Sequence, residues 1–214
     1  MKIENDYSDW RDRIIEYRED LEPEYTARGN SLKINLSGVT PRGQDLQTPR
    51  GYQAASDIDA GSSHVCLIHK SGQLYTWGSG ASGRLGLDLT EKGDPQNDAA
   101  EPKVVQSLYG KPVVKASGGF NTTGCIVAGG DLFMWGSAAT GKCGLGAITN
   151  KEECYVSVPT RVIVGTEDRK IRNISCGYAH TAVVSEAGQL YVYGCGDGGR
   201  LGMGHGKYNT LFVP

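Results

Sequence analysis

The stretch "GSGASGRLG", residues 78–86, follows the apolar run "GQLYTW" and has two counterparts further along the chain. These are "GSAATGKCG" at 136–144 and "GCGDGGRLG" at 194–202, so both steps are 58 residues. The glycines at the first and sixth places keep that spacing: Gly78, Gly83, Gly136, Gly141, Gly194 and Gly199. A spacing repeated this strictly indicates an internal structural repeat, and a repeat decides the fold before any single motif does.

Each repeat is predicted to contain short strands. In the first, "HVCLIH" and "QLYTW" are strand-like runs joined by "KSG", a glycine-bearing hairpin turn. The run "SDIDA" precedes them, and "EPKVVQSL" follows with a proline and β-branched residues. Four strands in each 58-residue repeat are typical of a β-propeller blade. No amphipathic stretch of ten or more residues interrupts the runs, which argues against a parallel α/β sheet.

Three segments differ in composition. Residues 1–24 carry nine acidic and four basic residues, net −5, and the spacing of Trp10, Ile14, Tyr17 and Leu21 predicts an acidic helical arm. Residues 25–52 carry four basic residues and one acidic, net +3, with "TPRG" occurring twice, which predicts a linker or a first strand. Residues 53–214 hold fourteen of each charge and contain the three propeller repeats.

The overall composition is that of an ordinary globular protein rich in turns. The 214 residues include 31 glycines and carry a net charge of −2. No apolar run is long enough to span a membrane, and the first twenty residues lack the apolar core of a signal peptide. We therefore expect a cytoplasmic or nuclear protein that is not secreted, with its six cysteines reduced and packed as small apolar residues.

The glycine loops also match nucleotide-binding patterns, but a turn explains them better. Residues 78–83 fit G-x-G-x-x-G, and residues 136–142 fit G-x-x-x-x-G-K. The latter is followed by Cys143, where a phosphate loop needs the magnesium-binding hydroxyl of Ser or Thr. No copy is followed by a helix whose N-terminus could hold phosphate.

Cys176 and His180 lie close together in the sequence, but two ligands alone do not make a zinc site. We therefore predict no cofactor, no metal and no catalytic residue.

The repeated residues resemble the regulator of chromosome condensation repeat over residues 53–214. The first copy carries Gly61, His64, Trp77–Gly78, Gly83 and Leu85–Gly86. The second is aligned through Gly118, Asn121, Trp135–Gly136, Gly141 and Gly144, with one inserted residue. The third carries Gly177, His180, Tyr193–Gly194, Gly199 and Leu201–Gly202. The resemblance implies seven blades in a full ring, so we expect these residues to be the N-terminal part of a longer propeller, or to be completed by another chain. His64 and His180 are expected to be structural.

Five residues are candidates for partner binding. Arg84, Lys142 and Arg200 recur one residue after the second repeated glycine of the loop, so they form an array of cations for an acidic partner or else hydrogen bond to the neighbouring blade. Trp10 and Ile14 belong to the apolar stripe of the predicted arm, which either docks on the propeller edge or on a partner, or remains a solvated arm.

We expect a non-catalytic protein–protein interaction scaffold. The resemblance adds two alternatives: guanine nucleotide exchange on a Ran-like small GTPase, and the recognition module of a larger ubiquitin ligase. The electrically neutral body of the chain does not favour nucleic acid as a partner, and no membrane segment is predicted.

Overall fold

Three antiparallel β-sheets of four strands each contain most of the residues that the structure describes. The structure is a computed structural model, and it describes residues 55–87, 97–146, 154–166, 168–204, 210–211 and 214. The predicted helical arm with Trp10 and Ile14, and the predicted linker over 25–52, lie outside these residues.

Each sheet is a meander in which strands that follow one another in sequence pair with one another. Blade 1 consists of β1 (Ala55–Ala60), β2 (His64–His69), β3 (Leu74–Gly78) and β4 (Ala99–Val104). Blade 2 consists of β5 (Val113–Gly118), β6 (Thr122–Val127), β7 (Leu132–Ser137) and β8 (Tyr155–Val162). Blade 3 consists of β9 (Ile171–Cys176), β10 (His180–Ser185), β11 (Leu190–Cys195) and β12 (Thr210–Leu211). These are the four-stranded units of a β-propeller, and the predicted all-β class is confirmed.

The 58-residue step holds for the first three strands of every blade and not for the fourth. The first strands begin at residues 55, 113 and 171, and the third strands begin at 74, 132 and 190. The fourth strands begin at 99, 155 and 210, so the irregular spacing falls in the loop before them. The helices in the described part of the chain are 3-10 helices of three residues, and none is long and apolar enough to cross a membrane.

The glycine at the end of each third strand is required by a close approach of backbone. Gly78 has φ +103°, and a Cβ there would lie 2.5 Å from the carbonyl oxygen of Ser63 in the turn of the same blade. Gly136 and Gly194 repeat this geometry against Asn121 and Ala179. Because only glycine adopts this conformation without strain and leaves this space, the recurrence seen in the sequence follows from the sheet geometry.

The apolar cores lie between blades. One buried cluster joins Leu74 and Leu85 of blade 1 to Phe133 and Trp135 of blade 2. A second joins Leu132 and Met134 of blade 2 to residues of blade 3, including Val183 and Tyr193. Each fully buried apolar side chain of this size contributes about 1.5–3 kcal/mol relative to an exposed one. The interfaces between neighbouring sheets therefore stabilise the array.

Hydrogen bonds correct the alignment of the middle repeat by one residue. The N–H of Gly61 donates to the carbonyl of His64, and the N–H of Gly119 donates in the same way to Thr122. Gly119 and Thr122, rather than Gly118 and Asn121, therefore occupy the places of Gly61 and His64, and the step stays at 58. No residue is inserted. The "GG" at 118–119 allowed either alignment in the sequence, and the strand register selects one.

Candidate functional site

The repeated loops and turns of all three blades lie at one end of the sheets, which we call the loop end. It comprises the turn between the first and second strands and the loop after the third strand. Backbone hydrogen bonds of 2.7–2.8 Å join the two in every blade, for example from Ser79 to the carbonyl of Ser63. The three cations predicted as candidates, Arg84, Lys142 and Arg200, are all part of these loops.

Arg84 connects blade 1 to blade 2. Its guanidinium donates from Nε to the carbonyl of Ala81 at 2.7 Å and from one terminal nitrogen to Ser63 Oγ at 2.5 Å. The same terminal nitrogen lies 3.2 Å from the carbonyl oxygen of Phe120 in the next blade. Burial lowers the pKa of Arg84, with Asp98 acting in the opposite direction. Of the two roles predicted for Arg84, its contacts in the structure are those of a residue that hydrogen bonds to the neighbouring blade.

Lys142 repeats the connection between blades 2 and 3, and Arg200 lies at the same place in blade 3. The Lys142 ammonium donates to Asn121 Oδ1 and lies 3.2 Å from the carbonyl oxygen of Tyr178. Burial lowers the pKa of Lys142, and nearby Arg84 contributes to the lowering. Arg200 donates from Nε to the carbonyl of Asp197 at 2.6 Å and is exposed.

His64, Thr123 and Trp135 converge on the backbone of Arg84. The Thr123 hydroxyl and the Trp135 indole N–H both donate to the Arg84 carbonyl, at 2.7 and 2.9 Å. His64 Nε2 lies 2.7 Å from Thr123 Oγ1. Because the single proton of Thr123 is used, Nε2 must carry the proton of that bond, which leaves Nδ1 unprotonated and without a partner among the described residues. Burial, then Arg84, lowers the pKa of His64 to about 4.

The next interface repeats this arrangement with two differences. Thr181 Oγ1 donates to the Lys142 carbonyl at 2.8 Å, as Thr123 does to Arg84. Tyr193 takes the place of Trp135, and its buried hydroxyl has no hydrogen-bond partner in the described part of the chain. Thr122 stands where blades 1 and 3 have histidine, and its hydroxyl donates to the carbonyl of Ser137 within blade 2.

The turns between the first and second strands are also hydrogen bonded from blade to blade. The N–H of Ser62 donates to the carbonyl of Gly119 at 3.1 Å, and the N–H of Phe120 donates to the carbonyl of Gly177 at 3.3 Å. A side chain of the first strand adds a further bond, because Asp59 accepts from the N–H of Gly118 at 2.8 Å. The turns therefore form a continuous hydrogen-bonded strip across the three blades.

Two aromatic side chains project from this strip. Phe120 and Tyr178 occupy the same place in blades 2 and 3, one residue after the turn glycine. Their ring centroids are 4.4 Å apart with an interplanar angle of 39°, and the two residues are 42% and 66% exposed. Blade 1 has Ser62 at this place. Sequence reasoning did not select the pair, although the 58-residue step between two aromatic residues beside a turn glycine was a usable signal.

The glycine loops pack between blades, and their side chains have partners within the protein. Gly86 shows this most clearly, since a Cβ there would lie 2.6 Å from Trp135 Nε1 of the next blade. Cys143, at the place of the phosphate-loop hydroxyl, is buried with its Sγ 3.3 Å from the carbonyl oxygen of Ser137. Burial raises the pKa of Cys143 and of Cys176 to about 12, so both thiols are protonated at neutral pH.

This fold and these repeated contacts define a propeller of the chromosome-condensation-regulator type, and comparison with known proteins agrees. Residues 71–126 and 129–184 match the regulator of chromosome condensation (RCC1) repeat, and residues 55–84 and 171–200 match a second description of the same repeat. The chain therefore belongs to the RCC1 repeat family, as the sequence predicted.

Relatives and solved structures show how the chain compares in length. It is 33% identical to the ultraviolet-B receptor UVR8 of Arabidopsis thaliana over 79% of this chain and 37% of the receptor. It is 30% identical to the human E3 ubiquitin-protein ligase HERC2 over 87% of this chain and 4% of the ligase. The crystal structure of Prp20p from Saccharomyces cerevisiae superposes with a TM-score of 0.65 at 20% identity, covering 78% and 39% of the two chains. The chain thus spans well under half of these proteins.

Proposed function

We propose that this chain is a non-catalytic scaffold for protein–protein interactions. The observation that carries the proposal is that the loop end contains two kinds of residue, those that bond one blade to the next and those that are exposed to solvent. The repeated polar residues there, Arg84, Lys142 and Thr123, are used in bonds between blades and make the array rigid. Copy-specific side chains such as those of Phe120 and Tyr178 are presented to solvent on that rigid support. Repeated residues that fix the backbone, with exposed residues that differ from blade to blade, are the arrangement in which loops on a rigid support bind a partner.

The test is capture followed by reconstitution. The immobilised chain is exposed to a cell extract, retained proteins are quantified by mass spectrometry, and each is then purified and titrated against the chain alone. We expect at least one retained protein to bind stoichiometrically. A support that carries no protein identifies non-specific retention. Failure of every purified candidate to bind the chain would contradict the proposal.

The alternative is guanine nucleotide exchange on a Ran-like small GTPase. It is favoured by the superposition on Prp20p, whose structure is described together with its binding to Gsp1p and histones. Exchange requires no catalytic triad, because it proceeds by displacing contacts to phosphate and magnesium. A nucleotide-release assay with a panel of small GTPases separates the two functions. The scaffold predicts no acceleration at micromolar chain, and acceleration of any member of the panel would establish exchange.

A third function is substrate recognition within a larger ubiquitin ligase. The similarity to HERC2 favours it, since the matched part is a small fraction of that ligase. In that case the scaffold would present a target to a catalytic domain elsewhere in the same polypeptide.

We propose that the protein resides in the cytoplasm or nucleus. Fractionation of cells that express the tagged protein tests this location.

A further inference from the structure

We propose that Phe120 and Tyr178 form the anchor of a docking surface for an acidic peptide segment that presents an apolar side chain. This inference rests on the proposed scaffold function and names the partner's chemistry. The first step is the exposure of the pair. Two large aromatic side chains, whose tilted rings have centroids 4.4 Å apart, remain 42% and 66% exposed at the same end of the blades. Rigid, partly exposed aromatic residues are the side chains that most often supply the binding energy of an interface.

The second step is preorganisation, because the backbone under both rings is fixed. The Phe120 N–H donates to the carbonyl of Gly177, while the Phe120 carbonyl accepts from Arg84 and from Ser62 Oγ. The Tyr178 carbonyl accepts from Lys142. A partner that packs on these rings does not have to order the loops that carry them, so more of the contact energy appears as affinity.

The third step is charge, which selects an acidic partner over a basic one. The cations under the aromatic pair, Arg84 and Lys142, are close enough for Arg84 to lower the pKa of Lys142. Within the described ranges their hydrogen bonds go to carbonyl, hydroxyl and amide oxygens, and no carboxylate lies within ion-pair distance of either. Arg200 adds an exposed cation beside His180. Arg84 and Lys142 are only 7% and 5% exposed, and Asp98 opposes the charge of Arg84, so Arg200 is the cation that carboxylates on the partner would meet directly.

A second copy of this chain fits the surface less well. A two-fold symmetric contact through the aromatic pair would place the same cations opposite one another, and like charges across an interface oppose association. We therefore commit to a peptide segment whose apolar side chain packs on the rings of Phe120 and Tyr178 while a flanking carboxylate faces the exposed Arg200.

The probes are three short synthetic peptides, each labelled with fluorescein. Each has one leucine flanked on both sides by glutamate, by glutamine or by lysine, and binding is followed by fluorescence anisotropy at low and high salt. We expect the glutamate peptide to bind most tightly and the lysine peptide least, with the difference shrinking as salt rises. Tighter binding of the lysine peptide, or no binding of any peptide up to millimolar concentration, would overturn the proposal.

The decisive variant is the double substitution Phe120→Ser and Tyr178→Ser. Serine is the residue that blade 1 carries at this place, so the repeat accommodates it. We expect the affinity for the glutamate peptide to fall by roughly tenfold or more, as loss of aromatic anchors does. The matched control is Tyr109→Ser, which removes a 61% exposed tyrosine near the opposite end of the blades. Equal affinities for the double variant and the wild-type chain would refute the anchor.

Charge is tested separately with Arg200→Glu. We expect weaker binding of the glutamate peptide, stronger binding of the lysine peptide and a smaller salt dependence, whereas Lys111→Glu at the opposite end leaves all three unchanged. Thermal melting confirms that each variant is folded.

Two outcomes distinguish this surface from the scaffold function itself. If a captured protein binds the wild-type chain and the serine double variant equally, the scaffold stands and this surface is wrong. If sedimentation velocity shows a dimer that the double variant abolishes, the occupant is a second copy and not an acidic peptide.

Discussion

Tyr193 carries a buried hydroxyl that lacks a hydrogen-bond partner among the described residues. At the equivalent place in blade 2, the indole N–H of Trp135 donates to the carbonyl of Arg84 at 2.9 Å. Both interfaces therefore have a buried aromatic ring at this place, but the hydrogen bond from the ring to the loop carbonyl is present only at the interface of blades 1 and 2. Burial raises the pKa of Tyr193, so the hydroxyl is neutral and its cost is that of lost hydration.

This orphan hydroxyl predicts that Tyr193→Phe stabilises the chain. Removing a buried unpaired hydroxyl without changing the ring should raise the free energy of unfolding by about 1 kcal/mol. Urea denaturation gives the measurement. Tyr191→Phe is the control, because that hydroxyl donates to Gln189 Oε1 at 3.3 Å and is exposed, so its removal should have little effect. A less stable Tyr193→Phe variant would mean that the hydroxyl has a partner in solution.

His64 predicts a pH dependence of stability on the acid side. Its pKa is about 4 in the folded protein and about 6.5 when exposed, so the unfolded chain takes up the proton first. Neutral His64 contributes fully to the free energy of unfolding above pH 6.5. This contribution is lost as the pH falls towards 4, which lowers the free energy of unfolding by about 3 kcal/mol.

The measurement compares urea denaturation of the wild-type chain and His64→Thr from pH 7 to pH 4. Threonine is the matched choice because Thr122 stands at this place in blade 2. We expect the variant to be less stable at pH 7, and its stability to depend less on pH. Parallel curves for the two proteins would show that His64 does not titrate in this range.

At the scale of elements, Gly86 and Gly202 form a natural matched pair. They hold the same place in the loops of blades 1 and 3, with φ of +67° and +68°. A Cβ at Gly86 would lie 2.6 Å from Trp135 Nε1, whereas a Cβ at Gly202 has no described atom within 4 Å. Comparing alanine at the two sites therefore separates backbone strain from the packing of one blade on the next.

We expect Gly202→Ala to cost about 1–2 kcal/mol, the price of a left-handed non-glycine residue. Gly86→Ala should cost about 1–3 kcal/mol more, because the added methyl group displaces the indole of Trp135. Denaturation midpoints report both costs, and a change in tryptophan fluorescence in Gly86→Ala that is absent in Gly202→Ala reports the displacement of Trp135. Equal costs at the two sites would mean that the loop does not pack tightly against the next blade.

The elements themselves were largely predictable from the sequence. The run "HVCLIH" has the same bounds as β2, and "KSG" lies in the turn before β3. Alternation, β-branched residues and glycine turns act within one blade, so a local pattern reports them. The place of Gly119 was missed, because the adjacent glycines differ only in hydrogen bonding to Thr122 and to the next blade.

The roles of the loop cations were less predictable, for a physical reason. The sequence shows that Arg84 and Lys142 recur but not which oxygen atoms lie nearby. Those acceptors are carbonyls of Phe120 and Tyr178, 36 residues further along the chain. Such contacts depend on how one sheet packs on the next, which no pattern within a single repeat encodes.

At the scale of the whole molecule, the outer face of blade 3 differs from the same face of the other blades. Leu74 and Leu132 begin the third strands of blades 1 and 2 and are each 1% exposed, because the following blade covers them. Leu190 stands at the same place in blade 3 and is 66% exposed. We propose that a further blade covers this face, supplied by a longer polypeptide or by another chain.

This open face predicts self-association that depends on Leu190. Sedimentation velocity of the 214-residue chain should show concentration-dependent association, since an exposed apolar face favours contact with a second copy. Leu190→Ala should reduce the association with little effect on unfolding, whereas Leu132→Ala should cost about 2–5 kcal/mol. A monodisperse monomer that melts cooperatively would show that the face needs no further blade.

The loops of blades 1 and 2 hydrogen bond to the following blade. The choice of boundaries for a duplicated segment therefore decides which of these bonds are kept. A block from residue 71 to 126 contains both members of several interface pairs: Arg84 with the Phe120 carbonyl and Thr123, and Gly72 with Val113. A cut at the sheet boundary after Val104 separates every one of those pairs. Moving a 71–126 block therefore keeps these interblade donors with their acceptors but separates Arg84 and Ser79 from Ser63, whereas moving a whole sheet keeps the bonds within a blade and breaks those between blades.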